Sequence, residues 1–423
     1  MGVKTKSPAP SVVRMPHVCT GCGLLCDDVV LELQSGAIAA ILPPCPVAED
    51  ALRPRGAPPL AACTIDGAPA SYDDAVAAAA ETLLSARLPL VTGLHRATIE
   101  AIRAAIEIAD RVRGSIDPVD PTGSSYDATA AQTVGVVTAT IGEVAQRSDA
   151  IVWWFADPDA THPRLRERLS RPGERHWLAV GAAGNLPGST PLEQIPAESA
   201  FDAAVVLRAL VVGAPLDAER AAAVTGVDAA AWQALADQLS AARYAALAYD
   251  DRTLSPPAAT ALAELVVALH GRTRCVALPL GRPANAVGAV QTLLWQTGFP
   301  GAVSFAAGYP EYRPGEGTTA ALLTSGEVDA ALVVGADLLG PQNELPTAAT
   351  DALRRTPLVA LDDAASETMQ AARVAFAVPQ FETSAAGTVF RTDGIPLPLE
   401  AAIPSSLPSA AHVLRDIAER LPR

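Results

Sequence analysis

A chain of 423 residues has room for about three domains of ~150 residues and buries enough surface to fold without disulfide staples. Its 31 basic and 46 acidic residues leave a net charge of −15, which excludes a nucleic-acid surface, because phosphate contacts need clustered Lys and Arg. The most apolar stretches, 204–216 and 320–339, are broken by Arg208 and by Glu327, Asp329 and Asp337, short of the ~18 uncharged residues of a membrane span. No apolar run follows Lys4, Lys6 and Arg14 to make a signal peptide, so the chain reads as cytoplasmic.

In chain order, residues 1 to about 70 are rich in Pro and Cys. Val29 to Leu33 and Ala37 to Leu42, parted by Gln34, Ser35 and Gly36, predict a small β-hairpin. From Asp73 the pattern becomes βαβα: a helix from Asp73 to Arg87, a strand from Pro89 to Gly93, then a helix capped by Thr98. That second helix carries Ile99, Ile102, Ile106 and Ala109 on one face. Ala150 to Phe155 is a continuous apolar run between Asp149 and Asp157, as expected of a strand buried on both faces. Such alternation predicts an α/β fold with a mostly parallel sheet.

The two halves echo each other. Gly-Glu-Val precedes Asp149 at 142–144 and Asp329 at 326–328; Asp157 and Asp337 close the two strands, and later strands begin near Trp177 and Pro357. Each pair is separated by 180 residues (329 − 149, 337 − 157, 357 − 177). The echo is either the ordinary likeness of parallel-sheet units or a duplicated nucleotide-binding half. In the second case Asp157 and Asp337 stand at the strand carboxyl ends where such sheets bind ligands.

Cys19, Cys22, Cys26 and Cys45 form C-x2-C-x3-C-x18-C. Three thiolates can converge from one loop while the fourth returns after the hairpin. Four thiolates are the ligand set of a 4Fe-4S cluster; tetrahedral zinc and a ligand set left without its metal are the competing readings. Cys63 and Cys275 lie in apolar surroundings and read as buried small hydrophobes.

The stretch Cys19-Thr-Gly-Cys-Gly-Leu-Leu-Cys26-Asp-Asp-Val29, with the hairpin and Cys45, resembles the N-terminus of the molybdopterin oxidoreductases, and most of all the B subunit of formylmethanofuran dehydrogenase. Gly93-Leu94, the helix from Thr98, Thr140-Ile-Gly-Glu-Val144, Ala160-Thr-His162-Pro163-Arg164 and Arg391-Thr-Asp-Gly-Ile395 are similar to further stretches of that family, in order along nearly the whole chain. The resemblance implies two Rossmann-like parallel-sheet α/β domains plus a small N-terminal β-rich Cys-motif domain, as in domains 1–3 of the formate dehydrogenase/DMSO reductase fold. The implied division is 1–70 for the iron-sulfur-type domain, 71–118 with 285–423 for a discontinuous α/β domain, and 119–284 for the second. A separate barrel-bearing chain is also implied.

In the family a cysteine followed by a histidine serves the tungsten or molybdenum. The matching segment here, Asp120-Pro-Thr-Gly-Ser-Ser-Tyr-Asp-Ala-Thr129, has neither, and no cysteine occurs between Cys63 and Cys275. Ser124 or Ser125 could act as an alkoxide ligand, but without an imidazole beside it. Asp117, Asp120 and Asp127 would repel a pyrophosphate if they faced the groove. The expectation is therefore no molybdenum or tungsten pterin, no catalytic residues in this chain, and a 4Fe-4S site that is intact or vestigial.

That pattern resembles the B subunit of the bacterial formyltransferase/hydrolase complex, whose implied partners are amidohydrolase-like, formyltransferase and C-subunit-like chains of one-carbon metabolism. A working dehydrogenase chain with its metal pterin and an iron-sulfur electron-transfer chain are the alternatives. By the resemblance His162 lines the former pterin groove. His95 sits at a strand-to-helix turn, and His17, His176, His270 and His412 show no metal-ligand spacing.

Overall fold

The computed structural model describes residues 12–59, 61–118, 126–171, 173, 175–181 and 191–422; Asp120, Gly123, Ser124 and Ser125 lie outside them. The expected hairpin forms, with Val29–Gln34 antiparallel to Ala37–Leu42, and Val12–His17 adds a third strand beside it. Ser35 and Gly36 both have positive φ, +53° and +82°, the backbone that a tight I′ hairpin turn requires. Val29, Leu31 and Leu33 point into the core while their neighbours face outward, the period-2 signature of a half-buried strand.

Two parallel-centred sheets carry the rest. One has four parallel strands in the spatial order Arg274–Leu280, Tyr244–Asp250, Ala150–Trp154, His176–Val180. The other has nine, with a parallel centre Ser115–Pro118, Pro89–Gly93, Ala330–Val334, Leu358–Asp362, Val374–Ala377. Its edges are antiparallel: Val303–Ser304 and Glu311–Tyr312 on one side, Cys63–Ile65 and Ala68–Pro69 on the other. Ala150–Trp154 and Ala330–Val334 are buried at every position, because helices cover both faces of such sheets.

The 180-residue echo has a structural counterpart. Asp149 sits just before its strand, and its carboxylate accepts the consecutive amides of Arg243 (3.0 Å) and Tyr244 (2.9 Å) at the start of the neighbouring strand. Asp329 does the same with Arg87 (3.0 Å) and Leu88 (2.8 Å). The expected helix 73–87 accordingly stops early, spanning Tyr72–Leu84, since Arg87 and Leu88 already belong to this junction.

The helix Ile99–Arg111 buries Ile99, Ile102, Ile106 and Ala109 as expected, and Ile108 as well. Each isoleucine contributes roughly 1.5–3 kcal/mol on burial. Thr98 holds the N-cap position, but its side chain makes no capping bond. The C-terminal helix Ala410–Arg420 lies against this helix and Tyr72–Leu84, and the hairpin Gly387–Phe390 with Pro396–Leu399 precedes it. Cys63 and Cys275 are buried in apolar cores. No helix among the described residues is long and apolar enough to cross a membrane.

Candidate functional site

Cys19, Cys22, Cys26 and Cys45 converge on one small pocket, walled by Leu24, Val29, Val47, Ala48, Pro163 and Arg164. The loop is closed by the Cys19 amide donating to the Cys26 carbonyl (2.9 Å) and the Leu25 amide to the Cys22 carbonyl (3.2 Å). Cys45 arrives at the start of the short helix Pro46–Ala51. Gly23 is required here: a Cβ would stand 2.5 Å from the Gly281 carbonyl oxygen, so the Cys loop runs against the end of the four-stranded sheet. Thr392, in the Arg391–Ile395 turn, stitches this junction. Its amide donates to Gly23 O (2.9 Å), and its hydroxyl donates to Pro279 O (2.7 Å) and accepts from the Gly281 amide (2.8 Å).

Burial pushes the Cys19 and Cys22 thiols up to about 12. Cys26 is raised by burial too, but Arg168 and Arg164 oppose the rise. Both arginines reach across from 164–168. Arg164 forks onto Asp28 at 2.8 and 2.6 Å, and Arg168 spans Asp28 (3.0 Å) and Asp27 (2.7 Å). The Cys26-Asp-Asp motif and the Ala160–Arg164 motif are thus two halves of one clamp. Among the described residues no three His, Cys, Asp or Glu side chains stand close enough to ligate one shared metal ion.

A second charged constellation occupies the carboxyl ends of the strands Pro89–Gly93, Leu358–Asp362 and Val374–Ala377. Arg96 pairs with Glu382 and with Asp363 (3.1 Å), while Arg55 pairs with Asp362 and with Asp363 (2.5 Å). Asp362 and Glu382 are only 2% exposed. Burial pushes both carboxyls above their ordinary range. Asp363 is raised by burial but pulled lower overall by Arg96 and Arg55. The sequence reading did not single out these residues. The available signal was their position, since Arg96 and Asp362-Asp363 both close apolar strands at the end where α/β sheets bind ligands.

The other aspartates and histidines singled out in the sequence take the following places. Asp117 faces no groove: its buried carboxylate accepts the amides of Ala302 (2.8 Å) and Thr319 (2.7 Å). Asp157 caps the short helix Pro158–Thr161 by accepting the Ala160 amide (3.1 Å), and Asp337 accepts the amide (3.0 Å) and hydroxyl (2.8 Å) of the distant Thr368. Asp127 lies in the helix Tyr126–Thr133. His162 is buried with Nε2 3.1 Å from Gly281 O and Nδ1 2.9 Å from Thr161 Oγ1, a structural role. The His95 carbonyl accepts the Asn285 amide (2.7 Å) at the strand-to-helix turn.

No family model matches the chain. It is 27% identical over 410 residues to the B subunit of the tungsten-containing formylmethanofuran dehydrogenase 2 of Methanocaldococcus jannaschii, covering 91% of this chain and 93% of that one. It is 31% identical over 280 residues to the B subunit of the formyltransferase/hydrolase complex Fhc of Methylorubrum extorquens, covering 64% of this chain and 74% of the relative. Among solved structures, the FhcABCD complex of Methylorubrum extorquens, crystallised with methylofuran, matches with a TM-score of 0.71 and 28% identity over 85% of this chain and 98% of that chain. Acetylene hydratase from Pelobacter acetylenicus matches with a TM-score of 0.62 and 13% identity over 96% of this chain and 68% of its own, a likeness of fold alone. These matches make the chain a member of the family formed by the formylmethanofuran dehydrogenase B subunit and its counterpart, the Fhc B subunit.

Proposed function

We propose that this chain is the B subunit of a formyltransferase/hydrolase-type complex, a non-redox counterpart of the formylmethanofuran dehydrogenase B subunit. In that role it supports formyl transfer between tetrahydromethanopterin and methanofuran and hydrolysis to formate. Its partners would be amidohydrolase-like, formyltransferase and C-subunit-like chains of the cytoplasm. The observation that carries the reading is the missing thiolate: no cysteine lies between Cys63 and Cys275. Ser124, Ser125 and Tyr126 offer only hydroxyls to a metal that a soft thiolate suits.

The constellation at the carboxyl ends of the nine-stranded sheet argues the same way. Arg55 and Arg96, which could receive a cofactor's phosphates, are committed to Asp362, Asp363 and Glu382. Among the described residues this constellation does not fit the phosphates of a metal-bearing pterin dinucleotide. In the same reading 1–70, 71–118 with 285–423, and 119–284 are the three domains.

The cysteine pocket, in contrast, fits a 4Fe-4S cluster. Its four sulfurs share one apolar pocket, where a single tetrahedral zinc would draw them to ~3.8 Å from one another. A cluster takes each thiolate on a different iron and so holds them further apart. Such a cluster would serve as a structural centre, held by Cys19, Cys22, Cys26 and Cys45.

The test is co-expression with the genomic neighbours, purification through this chain, elemental analysis and a viologen-linked formate assay. Co-purifying formyltransferase and amidohydrolase-like chains without tungsten or molybdenum is the expected result. Stoichiometric tungsten or molybdenum with viologen activity would overturn it and point to Ser124 or Ser125 as a ligand. A chain that stays monomeric beside its neighbours would overturn the proposed place in a complex.

A further inference from the structure

The cysteine pocket is apolar except on one side. Leu24, Val29, Val47, Ala48 and Pro163 form most of its wall, and Arg164 is the one cationic residue on the lining among the described residues. Arg168 stands behind it, one helical turn along, within electrostatic reach of Cys26. Neither is a loose surface side chain: Arg164 is 7% exposed and Arg168 17%. Each is fixed by carboxylates of the residues that directly follow Cys26, at 2.6–3.0 Å. Four thiolates gathered in an apolar pocket carry excess negative charge that water cannot screen. Charge at this range acts strongly in such surroundings, and hydrogen bonds to cluster sulfurs are a recognised control on cluster stability and potential.

We propose that Arg164 and Arg168 are the charge-compensating wall of the cysteine site, with Asp27 and Asp28 setting how much of that charge the sulfurs feel. This inference rests on the reading of the pocket as a cluster site. The clamp has two separable consequences. It holds the Cys26 loop in place, and it offsets the negative charge that grows when a bound cluster gains an electron.

The experiment uses the full-length chain in its complex, reconstituted anaerobically with iron and sulfide. Iron per chain and the visible absorbance near 400 nm report occupancy. An EPR-monitored titration with dithionite reports the midpoint potential. Arg168→Gln is expected to lower occupancy and shift the midpoint to more negative values, and Arg168→Lys to restore most of it. Asp27→Asn, which leaves the Arg168 guanidinium with Asp28 as its remaining carboxylate, is expected to shift the midpoint the opposite way. A purely structural clamp predicts that Arg168→Gln and Asp27→Asn behave alike, and Arg168→Lys as badly as Arg168→Gln; that result would overturn the inference while leaving the cluster standing. Wild-type chain that takes up no iron would overturn the cluster reading and this inference with it. Should Arg168→Gln fail to fold, a wild-type-like midpoint in Arg168→Lys beside a more positive one in Asp27→Asn still decides.

Discussion

Replacing Arg96 with methionine keeps most of the side-chain volume but removes the guanidinium from a buried network. Arg96 is 11% exposed, and its partners Glu382 and Asp363 are 2% and 6% exposed. In the variant two interior carboxylates lose their shared cation, leaving Arg55 to face Asp362 and Asp363 alone. Breaking one side of a buried pair costs about 3–5 kcal/mol, and that loss is expected at pH 7.5. Burial already holds the Glu382 carboxyl above its ordinary range with Arg96 present; without Arg96 it rises further. A carboxyl raised on folding contributes stability below its unfolded value of about 4.3, and loses it as pH climbs through the folded value. The deficit of Arg96→Met therefore shrinks as pH falls from 7.5 towards 5. Urea unfolding followed by far-UV circular dichroism and tryptophan fluorescence at three pH values measures it. The double variant Arg96→Met/Glu382→Met should recover most of the loss, because apolar replacement of a whole buried pair is often neutral. A deficit under about 1 kcal/mol at pH 7.5, or one that ignores pH, would refute the reasoning by showing those carboxylates to be solvated.

Burial holds His162 neutral, lowering it from 6.5 to about 4, so it contributes stability that is complete above pH 6.5 and lost by about pH 4. His162→Gln should flatten the acid limb of a stability profile by up to about 1.4 kcal/mol per pH unit within that window; an unchanged slope would contradict the assignment. Asp149→Ala and Asp329→Ala each orphan two amides, and each should cost about 1–3 kcal/mol in denaturant midpoints, additively, because they sit in different sheets; markedly unequal costs would break the equivalence. Gly93→Ala places a Cβ 2.4 Å from the Val334 carbonyl oxygen at φ +92°, so its thermal destabilisation should exceed the roughly 1–3 kcal/mol of a strained φ alone.

Much of this molecule is written locally. Apolar runs such as Ala150–Trp154 and Ala330–Val334 announce strands buried on both faces, and Ser35-Gly36 between two such runs announces a hairpin. The Cys19–Cys45 spacing brings four sulfurs towards one place, because three of them share a single short loop. These features depend on neighbours within a few residues, and periodicity and turn chemistry record them faithfully. The tertiary structure alone decided what the charged residues do. Asp149 and Asp329 read as anchors of a repeated nucleotide-binding half, yet each clamps two amides of an adjacent strand, 94 and 241 residues away. Arg55 and Asp362 meet across 307 residues and Arg96 and Glu382 across 286. Arg164 reaches Asp28 from 136 residues further along the chain. Cys63–Ile65 joins the nine-stranded sheet between Ala68–Pro69 and the distant strand Val374–Ala377. The reason is physical: burying an apolar face needs only a repeating pattern along one element, whereas an ion pair needs two particular side chains brought together by the packing of elements distant in sequence. Nothing local to either partner encodes that meeting.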